Sequence, residues 1–189
     1  MESGWIDRIP VAVFTHDISV LIERVRDLLR EHSVFKLRII LEQQPELLRE
    51  LMGQVRTIEA NGEALRLIGA AGPEEALGPL SRLLPPEADL VFLDMILGLT
   101  ADVSDFDAEI PLRTLDGKLR DVEVRARIIE GPTGSPLLIT CVFDVTPRQE
   151  AMRRLAAESE DLSVAAWQTD AEGSMTHPQP AWQAFTGQS

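Results

Sequence analysis

The chain has 189 residues, a formal net charge of −13 and one cysteine, Cys141. This length suits one domain with a proper core plus a smaller remnant. The negative charge argues against binding to nucleic acid or anionic lipid, which both require a basic surface. A single cysteine excludes an internal disulfide or a cysteine-based zinc site within a monomer, and it fits the reducing cytoplasm, where we expect the protein. No apolar run approaches the ~18 residues that span a bilayer, so we expect no membrane contact.

The first hundred residues predict two short strands separated and followed by helices. Alternating apolar residues indicate strands, and apolar residues three or four positions apart indicate helices. In chain order, the first predicted elements are a strand at 9–15, a helix capped by Asp17 or Ser19 with apolar residues from 20 to 29, and a helix at 37–52 that Pro45 bends or divides. They are followed by a strand at 55–60, a short helix capped by Asn61 and closed by Gly69, a helical turn at 74–77, and a helix at 87–99 with Leu90, Val91, Met95, Ile96 and Leu99 on one face.

The last third predicts three antiparallel strands and then a helix. Strands at 107–115 and 119–130 flank a turn at Asp116 and Gly117, and a second turn leads into a strand at 137–145. That third strand is apolar on both alternating faces, as is typical of a central strand. We therefore expect a cover on its outer face, either from the helices between 20 and 52 or from a second subunit. Thr146 and Pro147 suit the start of a helix, so strand and helix join almost without a loop.

Three motifs resemble those of a PAS domain, a small sensory fold of bacterial signalling proteins. They are Ile58–Gly69 (a strand, an asparagine and a short helix), Leu115–Lys118 (a hairpin) and Asp144–Thr146 (the closing Asp-x-Thr). The resemblance implies an α+β fold, with a five-stranded antiparallel sheet and short helices on one face, over residues 10–146. One departure is a helical insertion at residues 17–53, where a typical PAS domain has a tight hairpin.

Part of this pattern returns 118 residues later, as duplicated units do. Trp167–Thr176 resembles the opening hairpin of a standard PAS domain, and Trp182, Phe185 and Gly187 take the places of Ala64, Leu67 and Gly69. We therefore interpret the chain as a fragment of a longer protein with at least two PAS domains. The expected organisation is an N-terminal tail at 1–9, the PAS domain at 10–146, a connector helix at 147–165 and a truncated second PAS domain at 166–189.

The resemblance places a ligand between the sheet and the helices at 61–68 and 86–99. Apolar residues at periodic spacing form a core more often than a ligand site, so core packing is the preferred interpretation, and the ligand is none or an unknown small molecule. The candidate lining residues are Leu65, Ile68, Phe92, Met95, Ile96, Val124 and Val142.

The resemblance also argues against several PAS cofactors. The flavin-adduct class requires a cysteine on a central helix, whereas Cys141 lies on the last predicted strand. The coumarate class uses a tyrosine, which the chain lacks, and haem usually takes a histidine from the long helix, which has none. His16, His32 and His177 do not cluster with other ligands, so we predict surface or capping roles for them and no metal site.

The predicted signal path runs from the last strand into the connector. The resemblance makes Asp144 an anchor that pairs with a cation or caps the backbone, and Thr146 joins it at the hinge. In the connector, Met152, Leu155 and Leu162 follow the spacing of a coiled-coil seam and predict a parallel homodimer. A helix packed back on its own sheet is an equally open alternative.

No catalytic pattern stands out, because the chain lacks a distinctive acid and base pair, a phosphate-binding loop and a nucleophile elbow. The predicted function is sensing or signal relay in a bacterial protein with an output domain in the same chain, such as a sensor histidine kinase of a two-component system or a diguanylate cyclase. Two alternatives are a ligand-free dimerisation module and, less favoured, a small α+β hydrolase or isomerase.

Overall fold

The computed structural model describes residues 6–101 and 103–161, of which 156–161 are described by their backbone only. Within these residues, six strands form one antiparallel sheet, accompanied by seven α-helices. The strands are β1 (Ala12–Asp17), β2 (Arg56–Ala60), β3 (Gly78–Pro79), β4 (Asp105–Arg113), β5 (Leu119–Glu130) and β6 (Pro136–Asp144). The helices are α1 (Ser19–Glu31), α2 (Val34–Gln43), α3 (Pro45–Gly53), α4 (Gly62–Ile68), α5 (Pro73–Ala76), α6 (Asp89–Thr100) and α7 (Thr146–Asp161).

The strand order across the sheet is β3-β2-β1-β6-β5-β4. The first long strand therefore lies at the centre, where Phe14 pairs with Ala60 of β2 on one side and with Thr140 of β6 on the other. The expected number of five strands is corrected to six, because Gly78 and Pro79 add a short edge strand beside β2. Two residues are too few for an alternating pattern, so sequence periodicity does not reveal this strand.

The predicted insertion between β1 and β2 is present and consists of three helices. Asp17 Oδ1 accepts a hydrogen bond from the Ser19 amide at 2.9 Å at the start of α1. The predicted helix at 37–52 is divided at Gln44, because Pro45 takes the first position of α3. A proline is tolerated there because its missing N–H has no intrahelical partner at the first turn.

The insertion and α6 lie on the same face of the sheet. Buried residues of α1 to α3 share one hydrophobic cluster with Phe92 and Leu93 of α6 and with Ala126 and Leu138 of the sheet. The insertion therefore does not cover the outer face of β6, which corrects one of the two expected covers. That face stays partly exposed, with Phe143 at 38% and, on β2, Ile58 at 48%.

One residue of the predicted apolar face of α6 lies away from the core. Leu90 is 69% exposed, whereas Phe92, Leu93 and Ile96 are buried. The helix is apolar around most of its circumference, so spacing alone does not determine which side faces the core. Contacts with the insertion on one side and with the sheet on another determine it instead.

Asn61 joins three parts of the fold and has no exposed surface. Its Oδ1 caps α4 by accepting a hydrogen bond from the Ala64 amide at 2.9 Å, as predicted, and it also accepts one from the Val13 amide at 3.0 Å. The main-chain amide of Asn61 donates in turn to the Val13 carbonyl at 3.1 Å. One side chain thus fixes the start of α4 against β1.

The side-chain amide of Asn61 also holds the segment before β1. Its Nδ2 donates to the carbonyl oxygens of Ile6, Ile9 and Val11, at 3.0, 3.4 and 2.8 Å respectively. Ile6 is buried within a short 3-10 turn at Ile6–Arg8. The last four residues of the expected N-terminal tail are therefore fixed to the domain, because their carbonyl groups satisfy a buried donor.

Contacts divide the chain into one unit ending at Thr146 and another beginning at Pro147. The second unit begins with α7, while the predicted second PAS domain at 166–189 lies outside the described residues. No helix within the described ranges has both the length and the apolar character needed to cross a bilayer.

We predict that Asn61→Ala lowers the free energy of unfolding by about 3 kcal/mol, because several buried backbone groups lose their partner at once. The control is Ser33→Ala, which removes a single exposed cap bond from α2 and should cost about 1 kcal/mol. Urea denaturation of both variants measures the difference. Equal losses would mean that Asn61 is only a helix cap.

Candidate ligand cavity

A cavity of about 580 Å³ lies between the inner face of the sheet and α6. Strands β1, β4, β5 and β6 contribute to its walls, together with α6 and the segment before that helix. Its apolar lining is Phe14, Leu80, Leu83, Leu84, Ala88, Val91, Phe92, Met95, Phe106, Ala108, Ile110, Leu112, Val124, Ala126, Leu138 and Val142. A volume of this order accommodates a small organic ligand.

Four of the seven predicted lining residues border this cavity, and three do not. Phe92, Met95, Val124 and Val142 are on its wall. All four also belong to or pack against the hydrophobic core clusters, so they contribute to the core and border the open space at the same time.

The other three predicted lining residues pack elsewhere. Ile68 is buried in a second hydrophobic cluster, formed around α4 and β1, and Leu65 packs against that cluster. Ile96 is buried in the cluster shared with the insertion. Ile96 lies on the side of α6 that packs against the insertion and therefore does not border the cavity.

His16 lies at the cavity wall, and this placement corrects the predicted surface or capping role. It is 1% exposed on β1, and its ring stacks on Phe14 with 6.0 Å between the ring centroids. Its Nδ1 lies 3.1 Å from Thr57 Oγ1, and its Nε2 lies 3.1 Å from Thr140 Oγ1. Alternation along β1 places His16 on the same face as Phe14, and this was the available signal.

Burial lowers the pKa of His16 from 6.5 to about 4. The ring is therefore neutral at pH 7, with one nitrogen as donor and the other as acceptor. Each nitrogen has a threonine hydroxyl within hydrogen-bonding distance, and a hydroxyl can either donate or accept a hydrogen bond. Both ring nitrogens are thus satisfied in either neutral tautomer.

Acidic residues of α6 and β4 also border the cavity, and Asp94 of α6 has an exposed side chain. Asp105, Asp107 and Glu109 of β4 alternate with the cavity-facing residues Phe106, Ala108 and Ile110, so their side chains lie on the outer face, opposite Arg127, Arg125 and Glu123 of β5. Partly exposed residues of both elements place the opening between α6 and the edge strand β4. Among the described lining residues there is no lysine or arginine. The described part of the chain also holds no cluster of three or more His, Cys, Asp or Glu residues suited to a metal.

The close approach of α6 to β4 beside this opening depends on Gly98. A Cβ atom at this position would lie 2.7 Å from Phe106 Cε1. Such a distance is shorter than a van der Waals contact, so a larger residue must displace the ring or the helix. Gly98 therefore allows Phe106 to stand both against α6 and in the cavity wall.

No family profile and no curated protein matches this chain. Similar solved structures include an RNA-binding light-oxygen-voltage receptor, with 20% identity, a TM-score of 0.49, and coverage of 82% of this chain and 35% of that one. Another is the light-oxygen-voltage protein of Rhodobacter sphaeroides, with 15% identity, a TM-score of 0.48, and coverage of 74% and 62%. A PAS domain of a two-component sensor histidine kinase has 11% identity, a TM-score of 0.47, and coverage of 75% and 91%. The chain thus spans about a third of the first protein and less than two thirds of the second.

The sheet itself carries the resemblance, because β6 returns to the centre beside β1 and the helices of the first unit lie over one face. The chain has a PAS-like α+β fold. Its Asn61-capped helix, its hairpin at Asp116 and Gly117, and its closing Asp-x-Thr occupy the positions that the resemblance implies.

The closing Asp-x-Thr of the PAS-like fold ties the end of β6 to β5. Asp144 Oδ2 accepts a hydrogen bond from Arg120 Nη1 at 2.5 Å, and its Oδ1 accepts one from the Thr146 amide at 3.0 Å. Partial burial acts to raise the pKa of Asp144, but the hydrogen bonds from Thr146 and Arg120 outweigh it and hold the pKa below its usual value. Thr146 Oγ1 accepts from the Asp121 amide at 2.9 Å, and the Val145 amide donates to the Asp121 carbonyl at the same distance.

Other predicted residues lie away from the cavity. Cys141 pairs with Arg125 and Val13 on the outer face of the sheet, opposite to the cavity-lining Thr140. The connector residues Met152 and Leu155 are exposed on α7.

Leu162 lies outside the described residues. The coiled-coil seam that includes Met152, Leu155 and Leu162 stays a prediction.

We predict that His16 makes the domain less stable as the pH falls from 6.5 to 4. In this window the unfolded chain binds a proton on His16 and the folded protein does not, so protonation favours unfolding by up to about 3 kcal/mol. The control is His16→Gln, in which this part of the pH dependence should disappear. Chemical denaturation between pH 4 and pH 8 measures both proteins.

Parallel pH profiles for the two proteins would contradict this assignment. Four carboxyl groups with a lowered pKa also begin to lose their stabilising contribution below about pH 5, but they do so in both proteins and cancel in the comparison. They are Asp17, Asp105, Asp116 and Asp144.

Proposed function

We propose that this domain senses a small ligand in the cavity and passes the signal through β6 to the connector helix. The observation that carries the proposal is the cavity itself, which remains open between α6 and the sheet although its walls are apolar. A domain of this size normally closes such spaces by packing, since empty apolar volume destabilises the fold. An occupant that fills the space would repay part of that cost.

The proposed path for the signal is strand β6. Leu138, Thr140 and Val142 alternate along the cavity wall, and the strand ends two residues later at Asp144. A ligand that shifts β6 relative to β5 would therefore act on the hydrogen bonds between Thr146 and Asp121. These bonds immediately precede the connector, so a change there can alter how the next segment begins.

The proposal extends to the whole protein. The chain would belong to a cytoplasmic, homodimeric bacterial signalling protein, such as a sensor histidine kinase or a diguanylate cyclase, with its output domain in the same chain. Met152, Leu155 and Leu162 would form the seam between the two connectors. The 189 residues themselves would have no catalytic role.

The cavity gives the enzyme alternative no support. Among the described residues that line it, the only buried ionisable side chain is His16, so these residues place no acid and base pair inside the cavity.

We predict that N-phenyl-1-naphthylamine, an uncharged dye whose fluorescence rises in apolar surroundings, binds the cavity with micromolar affinity. Ala126→Phe should weaken this binding at least tenfold, because the larger ring fills the space beside Thr140. The control is Ile129→Phe, which enlarges a residue of the same strand that does not line the cavity. Fluorescence titration measures the three proteins, and equal binding by both variants would place the dye elsewhere.

We predict that Thr146→Val uncouples the cavity from the connector without preventing dye binding. In the wild-type protein, binding should change hydrogen exchange in residues 147–155. The variant lacks the hydroxyl that bonds Asp121, so the same binding should change that exchange less than half as much. The control is Thr133→Val in the hairpin between β5 and β6, far from the strand end. An undiminished response in Thr146→Val would remove this residue from the path.

The second candidate is a ligand-free dimerisation module, and two apolar side chains on the outer face of the sheet favour it. Ile58 on β2 and Phe143 on β6 are exposed there, while Val13 and Thr15 of the intervening β1 are buried. Exposed apolar side chains often contribute to interaction sites. Light scattering and mass spectrometry of co-purified small molecules distinguish the candidates. A firm dimer without any ligand, disrupted by Phe143→Glu, would favour the dimerisation module over the sensor.

A further inference from the structure

We propose that the cavity takes an uncharged, largely apolar molecule with a single hydrogen-bonding group, and that this group bonds the Thr140 hydroxyl and thereby selects the tautomer of His16. This inference rests on the proposed sensor function and specifies its ligand class and its first step. It is carried by a row of three polar side chains across the sheet, Thr57, His16 and Thr140, of which His16 and Thr140 line the cavity.

The absence of a buried charge at the lining determines the charge of the ligand. None of the described lining residues is a lysine or arginine that could pair with a carboxylate or phosphate. Burying an unpaired charge in an apolar space costs several kcal/mol, so an anion is rejected.

Thr140 is the lining residue that can form a hydrogen bond with a neutral ligand. The buried polar side chains of the lining are His16 and Thr140, and the ring nitrogens of His16 already face the two threonines. The Thr140 hydroxyl makes one bond to Nε2 and keeps either its proton or a lone pair for a second partner. A ligand with one polar group can make this second hydrogen bond with the Thr140 hydroxyl, whereas a hydrocarbon cannot.

The second bond of Thr140 determines which ring nitrogen of His16 carries the proton. When the ligand accepts a hydrogen bond, the Thr140 proton points to the ligand, so Nε2 must be the protonated nitrogen and donates to Thr140 Oγ1. Nδ1 then accepts from the Thr57 hydroxyl. When the ligand donates, the Thr140 proton turns to Nε2, and Nδ1 carries the hydrogen and donates to Thr57.

The polar row connects three strands. Thr140 belongs to β6, His16 to β1 and Thr57 to β2, so a change at the cavity reverses the hydrogen bond at Thr57 on the far strand. Burial keeps the ring neutral, so the two arrangements differ in the position of one proton and not in charge. Whether the ligand donates or accepts the hydrogen bond at Thr140 thereby determines the direction of the hydrogen bond at Thr57.

The test uses three tricyclic probes of matched shape. The probes are 9-fluorenone, which only accepts a hydrogen bond, carbazole, which donates one, and fluorene, which does neither; fluorene-9-carboxylate serves as the anion. Displacement of N-phenyl-1-naphthylamine from the full 189-residue chain measures their affinities. Fluorenone and carbazole should bind about fivefold to tenfold tighter than fluorene, because one net hydrogen bond is worth about 1 kcal/mol. The carboxylate should bind at least tenfold more weakly than fluorene.

The variant Thr140→Val should bind all three neutral probes within about twofold of one another. The control is Thr15→Val, which alters a threonine on the opposite face of the sheet, where Thr15 Oγ1 lies 3.5 Å from Glu59 Oε2. Should either variant fail to fold, the ring nitrogens of the wild-type protein provide an independent measurement.

That measurement is the ¹⁵N chemical shift of the His16 ring nitrogens. The chain has three histidines, so His16 can be assigned by comparison with His16→Gln. We expect the Nε2–H tautomer with fluorenone and the Nδ1–H tautomer with carbazole. Equal affinities for the neutral probes, one tautomer in both complexes, or tight binding of the carboxylate would overturn this inference and leave ligand binding intact. If neither the dye nor any of the probes binds the protein, both this inference and the proposed sensor function are rejected.

Discussion

The buried amide of Asn61 holds together the parts of the domain on which the cavity depends. It ties the segment from Ile6 to Val11, the beginning of β1 and the first turn of α4 to one point. Directly after that point, β1 presents Phe14 and His16 to the cavity. A single asparagine therefore fixes the strand whose histidine contacts both of its neighbours in the sheet. Asn61 itself does not line the cavity, so it supports this site from a distance through the position of β1.

The helical insertion explains how an apolar cavity can stay open in a small domain. Arg49 of α3 forms an ion pair with Asp89 at the first turn of α6, with 2.6 Å between Nη2 and Oδ1, and donates from Nη1 to the Leu84 carbonyl at 2.8 Å. The helix α6 is thus supported from the side of the insertion, where Leu93 and Ile96 are buried. The helix α6 can therefore be stable without close packing against the sheet on the cavity side. Extra burial on one side offsets the open space on the other.

Local signals in the sequence predicted the elements well, since caps and turns depend on neighbouring residues. Asn61 marks the start of a helix through its side chain, and Pro45 and Gly69 mark helix termini through their backbone. Gly69 adopts a positive φ of 71° at the end of α4, which glycine permits without strain.

Features that depend on distant residues were not predictable in the same way. The role of His16 requires Thr140, which is 124 residues away in sequence, and periodicity does not report such a pairing. The burial of α6 depends on which of its several apolar sides meets the insertion, so Leu90 was assigned to the wrong side. The candidate lining residues on α4 were misplaced for a similar reason, because α4 packs on β1 within a separate cluster. Long-range packing therefore positioned the site, while local chemistry positioned its elements.

The proposed sensor role depends most directly on where an uncharged ligand binds. Nuclear Overhauser effects between N-phenyl-1-naphthylamine and methyl-labelled protein identify the residues that contact the dye. We expect contacts to the methyl groups of Val124 and Val142, which border the cavity. Contacts only to Ile58 and Ile139, on the outer face of the sheet, would contradict binding in the cavity and identify the outer face as the binding surface.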